Sequence, residues 1–247
     1  MKTAGLALQA GYKYQPYILT WFLVMLGARS LPALYAYQAG PMPFKAVMMS
    51  QAVAVIGLGF VLNPDWQSQP CRRCIPAWSF FLALAFILAT VNFENNLLMG
   101  LSVKTATAVF TLSFFMHSAT RAVMAQFIDN RHIPWIILCI VIMLATLPLW
   151  MAPWAESIAA APPKLHALLW SSPLSYLAAM LDYDYLRNQW FYQHTPYGML
   201  RYEYPDKISY SFGLIGMSLL LLGIKTNANL KNNTPENLKG ESVNEIK

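Results

Sequence analysis

The chain has 247 residues, of which 57% are hydrophobic and only 11% charged, with a formal net charge of +6. A soluble domain carries about a quarter charged residues, so this composition excludes a surface wholly bathed in water and makes lipid the solvent for much of it. The positive balance does not point to nucleic acid, because Lys and Arg are scattered at the ends of apolar runs, where they act as topology signals and headgroup contacts.

Residues 1–15 hold Lys2, Lys13 and a Gly-interrupted apolar stretch. They lack the core and cleavage site of a signal peptide, so they read as a short cytoplasmic segment before an uncleaved insertion signal. A spanning helix needs about 20 mostly apolar residues. The first such run, 16–37, is interrupted by Arg29 and Pro32. The second, 44–62, is uninterrupted. The third covers 75–91 and is stopped by Asn92, Glu94, Asn95 and Asn96. The fourth is 105–127, and the fifth, 133–153, is the most apolar. Together 16–153 form a five-span membrane region.

The segment 154–207 is expected on the extracytoplasmic side. It contains LHALLWSSPLSYLAAML, 165–181, which is apolar but split by Ser171, Ser172 and Pro173. That pattern reads as a re-entrant or interfacial helix pair rather than a span. The last span is 208–224, and the Asn- and Lys-rich tail 225–247 reads as a disordered cytoplasmic segment. The fold expected is all-α: a polytopic transmembrane helix bundle of about six spans, with seven as the alternative. Six spans put Lys2, Lys13, Arg72, Arg73, Arg131 and the basic tail on one side, against Lys45 and Lys104 in the short opposite loops. By the positive-inside rule both termini are then cytoplasmic in a cell inner membrane.

Polar groups at membrane depth are costly, and each is a candidate for function. Ser113, His117 and Arg121 recur every four residues and share one helix face. The stripe reads either as a substrate pathway, with Arg29 as a further member, or as a packed His117 and an Arg121 that reaches for headgroups. An ion pair between Arg29 and Glu94, and a dyad of Ser102 with His117, are further arrangements the sequence allows.

The stretch DYDYLRNQWFYQHTPYGMLRYEYPD, 182–206, mixes eight aromatic with six charged side chains. Tyr and Trp favour membrane–water interfaces, which makes it an interfacial cap. The sharper reading is a substrate-handling lid, or an active site drawing on His166, Asp182, Asp184, Arg187, His194, Arg201 and Glu203. Asp184 and Arg187, three apart, are placed to pair on a helix; Asp182 and Asp184, two apart, face differently.

Signatures of chemistry are missing. The four histidines never approach a multi-His metal spacing, and CRRC, with Cys71 and Cys74, has no second ligand pair. Neither a nucleophile elbow nor a Walker A loop occurs. No metal, cofactor or catalytic residue is therefore expected.

In layout the chain resembles the integral-membrane permease subunit of type-2 ATP-binding-cassette exporters. MKTAGLALQAGYKYQPY matches the N-terminal segment of that family, NPDWQSQPCRRC the cytoplasmic loop that touches the ATPase, and LHALLWSSPLSYLAAML the outer re-entrant region. The resemblance implies a homodimer in the lipid bilayer driven by a separate ATPase subunit, with Arg72 and Arg73 near that ATPase and His117 and Arg121 toward the translocation path. The other reading is a non-transporting membrane subunit or membrane enzyme with its site in the outer loop 154–207.

Overall fold

Leu, Ala, Phe, Met and Ile dominate the regular segments, and the chain answers with α-helix; no strand occurs among the described residues. The computed structural model describes residues 20, 23–24, 44–63, 74–90, 96–126, 132–159, 162–187 and 193–224. The expectations for 1–15, for nearly all of 16–37 with Arg29, for Glu94, for Arg72 and Arg73, and for the tail 225–247 lie outside the described residues.

Helix α1 is Phe44–Val61, α2 is Cys74–Thr90 and α3 is Asn96–Gln126. At 1.5 Å per residue, the 31 residues of α3 extend about 46 Å. Helix α3 packs against α1 and α2, and against three later helices. These are α4, Ile133–Ala145; α8, Pro173–Leu181; and α9, Lys207–Gly223. Between α4 and α8 run the short α5, Leu147–Trp150, then α6, Ala155–Ala159, and α7, Pro162–Trp170.

Polar contacts fix the helix directions. Trp78 Nε1, early in α2, donates to the Gly59 carbonyl, late in α1, at 3.1 Å. Thr90 Oγ1, ending α2, donates to Ser102 Oγ, early in α3, at 3.2 Å. So α2 runs antiparallel to both neighbours. Arg121 Nη1, late in α3, donates to the Leu222 carbonyl at 3.4 Å, at the end of α9. Lys45, the second residue of α1, and Lys207, the first of α9, both meet Asp182. Helices α1, α3 and α9 thus point the same way.

Several boundaries differ from the sequence expectation. The fourth run, expected over 105–127, begins at Asn96, so Lys104 is helical rather than in a loop. The Asn cluster is expected to stop a helix, but Asn also favours helix starts. The fifth run is not one helix to 153: α4 ends at Ala145. Thr146 turns its hydroxyl back onto the Ile142 and Met143 carbonyls, and Pro148 follows two residues on. Between α7 and α8 the break falls at Ser171 and Ser172. Ser172 is extended (φ −88°, ψ 122°), as a residue before proline prefers, and Pro173 sits in the first turn of α8, where its missing N–H costs nothing.

Several polar side chains lie inside the bundle and several large apolar ones on its surface. Within α3, Ser102, Thr105, Thr111, Ser113, His117, Ser118 and Thr120 are all buried. On α9, Ile208, Phe212 and Leu220 are 67%, 70% and 72% exposed. Leaving such a side chain in water forfeits about 1.5–3 kcal/mol each; in hydrocarbon it forfeits nothing. Phe44–Val61 and Met99–Gln126 are long and apolar enough to cross a membrane, while Cys74–Thr90, Ile133–Ala145 and Lys207–Gly223 are shorter apolar helices.

Candidate functional site

Of the stripe expected on the fourth run, Ser113 and His117 are buried in α3 and Arg121 is half-buried, and packing explains it in part. His117 Nδ1 lies 2.6 Å from the Ser113 carbonyl one turn earlier; a carbonyl only accepts, so Nδ1 carries the hydrogen. The Phe60 ring of α1 meets the imidazole edge-on at 5.3 Å. Arg121 reaches the C-terminal carbonyl of Leu222, where a cation complements the helix dipole. The Ser113 and Ser118 hydroxyls are buried without a hydrogen-bond partner among the described residues. Ser102 and His117 do not form a dyad: fifteen positions on one helix separate them by about 22 Å along its axis, and Ser102 is bonded to Thr90 instead.

One polar junction crosses the bundle. Tyr176, fully buried in α8, shares its hydroxyl with Thr111 of α3 at 3.1 Å and Ser211 of α9 at 2.5 Å. Around it, Ser175 through Leu181 are all buried, so α8 is a plug among α1, α3, α4 and α9 rather than a cap lying over them. Sequence reasoning missed Tyr176 because a Tyr in an apolar run reads as interfacial.

In 182–206, Asp182 and Asp184 meet separate partners, as the spacing predicted. Asp184 Oδ1 accepts from Tyr202 Oη at 2.8 Å and Tyr204 Oη at 2.7 Å. Its Oδ2 faces Arg187 Nε at 3.4 Å, so the expected pair forms, within the 3₁₀ turn Tyr185–Arg187. The guanidinium also lies over the Tyr202 ring at 5.3 Å. Tyr202 meets Tyr204 at 5.8 Å and Tyr197 at 6.3 Å, both edge-to-face. Burial, then the bond to Asp184, push the Tyr202 and Tyr204 hydroxyls well above the usual phenol range. Burial pushes Tyr197 up to about 12. The Tyr202 and Tyr204 phenols therefore stay protonated and donate to Asp184. Both Asp184 oxygens are engaged, which makes the cluster a latch rather than a base poised to take a proton.

Asp182 ends α8 in the left-handed conformation, φ 49°. Its side chain pairs with Lys207, and its carbonyl accepts from Lys45 Nζ at 2.7 Å. The Lys207 hydrogen bond is the main cause holding its carboxyl below the usual range; the charges of Lys104 and Lys45 add to it. The three lysines stand at or just before the starts of the apolar runs on α1, α3 and α9, a signal visible in the sequence as topology but not as a cluster. Of the remaining loop candidates, His166 stacks on Trp170 at 6.2 Å, and His194, Arg201 and Glu203 are exposed. Among the described residues no group of three or more His, Cys, Asp or Glu converges as a metal site would require. Searches for similar proteins return no matching family model, no matching curated protein and no matching solved structure.

Proposed function

We propose that the chain is a polytopic protein of the cell inner membrane, crossing it six times with both termini cytoplasmic. We propose further that it is the permease subunit of an ATP-driven exporter, working as a homodimer with a separate ATPase. The observation that carries this reading is the inverted polarity of the bundle: a seven-residue hydroxyl and imidazole interior on α3 inside exposed apolar faces. Such an interior is what a membrane protein that handles polar cargo needs, and it is expensive without one.

Other features support it. The 17-residue helices α2 and α9 are about 25 Å long, at the short end of what crosses a hydrocarbon core of about 30 Å. A shallow mismatch of that size is absorbed by local thinning and flanking residues. Lys45, Lys104 and Lys207 gather around one residue, Asp182, as the six-span map requires of residues on one side. The enzyme reading loses ground because Asp184, its best-placed carboxylate, is closed off by two phenols and a guanidinium.

The test is purification from native membranes in mild detergent, with every bound partner identified. A soluble ATPase should copurify with a dimer, and Arg72→Glu with Arg73→Glu should reduce its recovery at least about tenfold, since like-charge juxtaposition costs several kcal/mol at an interface. A monomer recovered without any ATPase overturns the exporter reading.

A further inference from the structure

A groove of about 640 Å³ opens beside the first three turns of α9, bounded across from it by α3 and the end of α7. Phe115, Leu214 and Met217 make its apolar wall, Trp170 and Tyr210 supply two aromatic rings, and Asp206 is the one charged residue in its lining. Both rings are held from behind. Trp170 stacks on His166 and donates Nε1–H to the Glu203 carbonyl at 3.1 Å. Tyr210 stacks on Tyr176 at 4.7 Å. Asp206 is exposed and caps α9, accepting from the Ser209 N–H at 2.8 Å; that bond holds its carboxyl below the usual range, so it is ionised at neutral pH. The adjacent cation, Lys207, is engaged by Asp182. Gly213 lines the groove, and a β-carbon there would meet nothing within 4 Å.

We propose that this groove binds amphiphilic organic cations: an apolar body of drug size carrying one weakly hydrated positive charge. The charge is chosen by the carboxylate, and the two aromatic rings in the lining favour quaternary and delocalised cations over anions. The body is chosen by the volume and the apolar wall, within the range of small-molecule sites. A lipid acyl chain alone would leave Asp206 without a counter-charge, and a phospholipid headgroup would bring a phosphate toward it. Anions are repelled. The site stands whether or not the chain transports what it binds.

The test uses the full chain in nanodiscs of neutral phosphatidylcholine, with empty nanodiscs subtracted. Equilibrium dialysis compares tetraphenylphosphonium with tetraphenylborate, an anion of nearly the same shape. Saturable binding is expected for the cation, at least about tenfold tighter than any for the anion. Asp206→Asn keeps a good helix cap but removes the charge, and should weaken cation binding about tenfold. Gly213→Leu fills the groove and should abolish saturable binding, while circular dichroism melts of both variants match the parent. Absence of saturable cation binding, equal binding of the two ions, unchanged affinity in Asp206→Asn or persistence of binding in folded Gly213→Leu each overturn the proposal.

Discussion

Asp182 does two jobs with one residue. Its backbone is left-handed, a conformation that Asp tolerates better than most side chains, and this lets the Tyr183 and Asp182 N–H groups satisfy the Ala178 and Ala179 carbonyls that end α8. Its carboxylate gathers Lys207, with Lys45 on its carbonyl and Lys104 nearby. Substitution separates the two. Asp182→Asn keeps the backbone preference and should cost no more than about 1 kcal/mol, the worth of a solvent-screened pair. Asp182→Val should cost about 1–2 kcal/mol more, because a β-branched residue is strained there. The carboxyl is depressed in the folded chain, so its contribution is complete above the ordinary carboxylate pKa near 4. It is lost as pH falls through the lower folded value. Hydrogen exchange across 183–187 should therefore accelerate below pH ~4 more in the parent than in Asp182→Asn. Identical pH profiles would remove the carboxylate from the account.

Helix α1 crosses α2 at Gly59. A β-carbon at that position would overlap the tip carbons of Leu82, which is itself fully buried, and the Trp78 indole bonds the Gly59 carbonyl. Gly57, two residues earlier, has open space where a β-carbon would go. Alanine is favoured over glycine in a helix by about 1 kcal/mol, and overpacking costs about 1–3 kcal/mol. Gly57→Ala should thus be neutral to stabilising, and Gly59→Ala destabilising by about 1 kcal/mol net; thermal melts in detergent compare them, and equal melting temperatures would show Leu82 yielding freely. Nothing in the sequence distinguished these two glycines. Hydropathy marks which segments lipid solvates, and so the apolar helical runs were legible. It does not report hydroxyls that bond their own backbone, which is why the end of α4 at Thr146 was missed. Pro173 was legible as a break because proline constrains the residue before it whatever the solvent. In 182–206 the Asp184–Arg187 pair followed from local spacing, whereas Tyr202 and Tyr204 reach Asp184 across 18 and 20 positions, which no local rule connects.

At the scale of the molecule, the parallel starts of α1, α3 and α9 connect charge to sidedness. By the positive-inside rule three lysines at one end would by themselves favour a cytoplasmic position for that end, but the proposed six spans put Arg72, Arg73 and Arg131 on the opposite side. The lysine end is also partly neutralised by Asp182. Translocating it is therefore less costly than translocating the arginine loops, which supports the proposed outer position of 154–207. A chain with Cys71, Cys74 and Cys139 replaced by serine should accept an impermeant maleimide at Arg201→Cys in intact cells, because Arg201 is exposed in that segment. Lys247→Cys should label only after permeabilisation. The native Cys139, exposed on α4 among Trp135, Ile136 and Met143, should resist the reagent in membranes and react once detergent exposes its face. Labelling of Lys247→Cys from outside would invert the map of sides. Labelling of Cys139 in intact membranes would instead place α4 in water, and the apolar outer faces would need a protein partner in place of lipid.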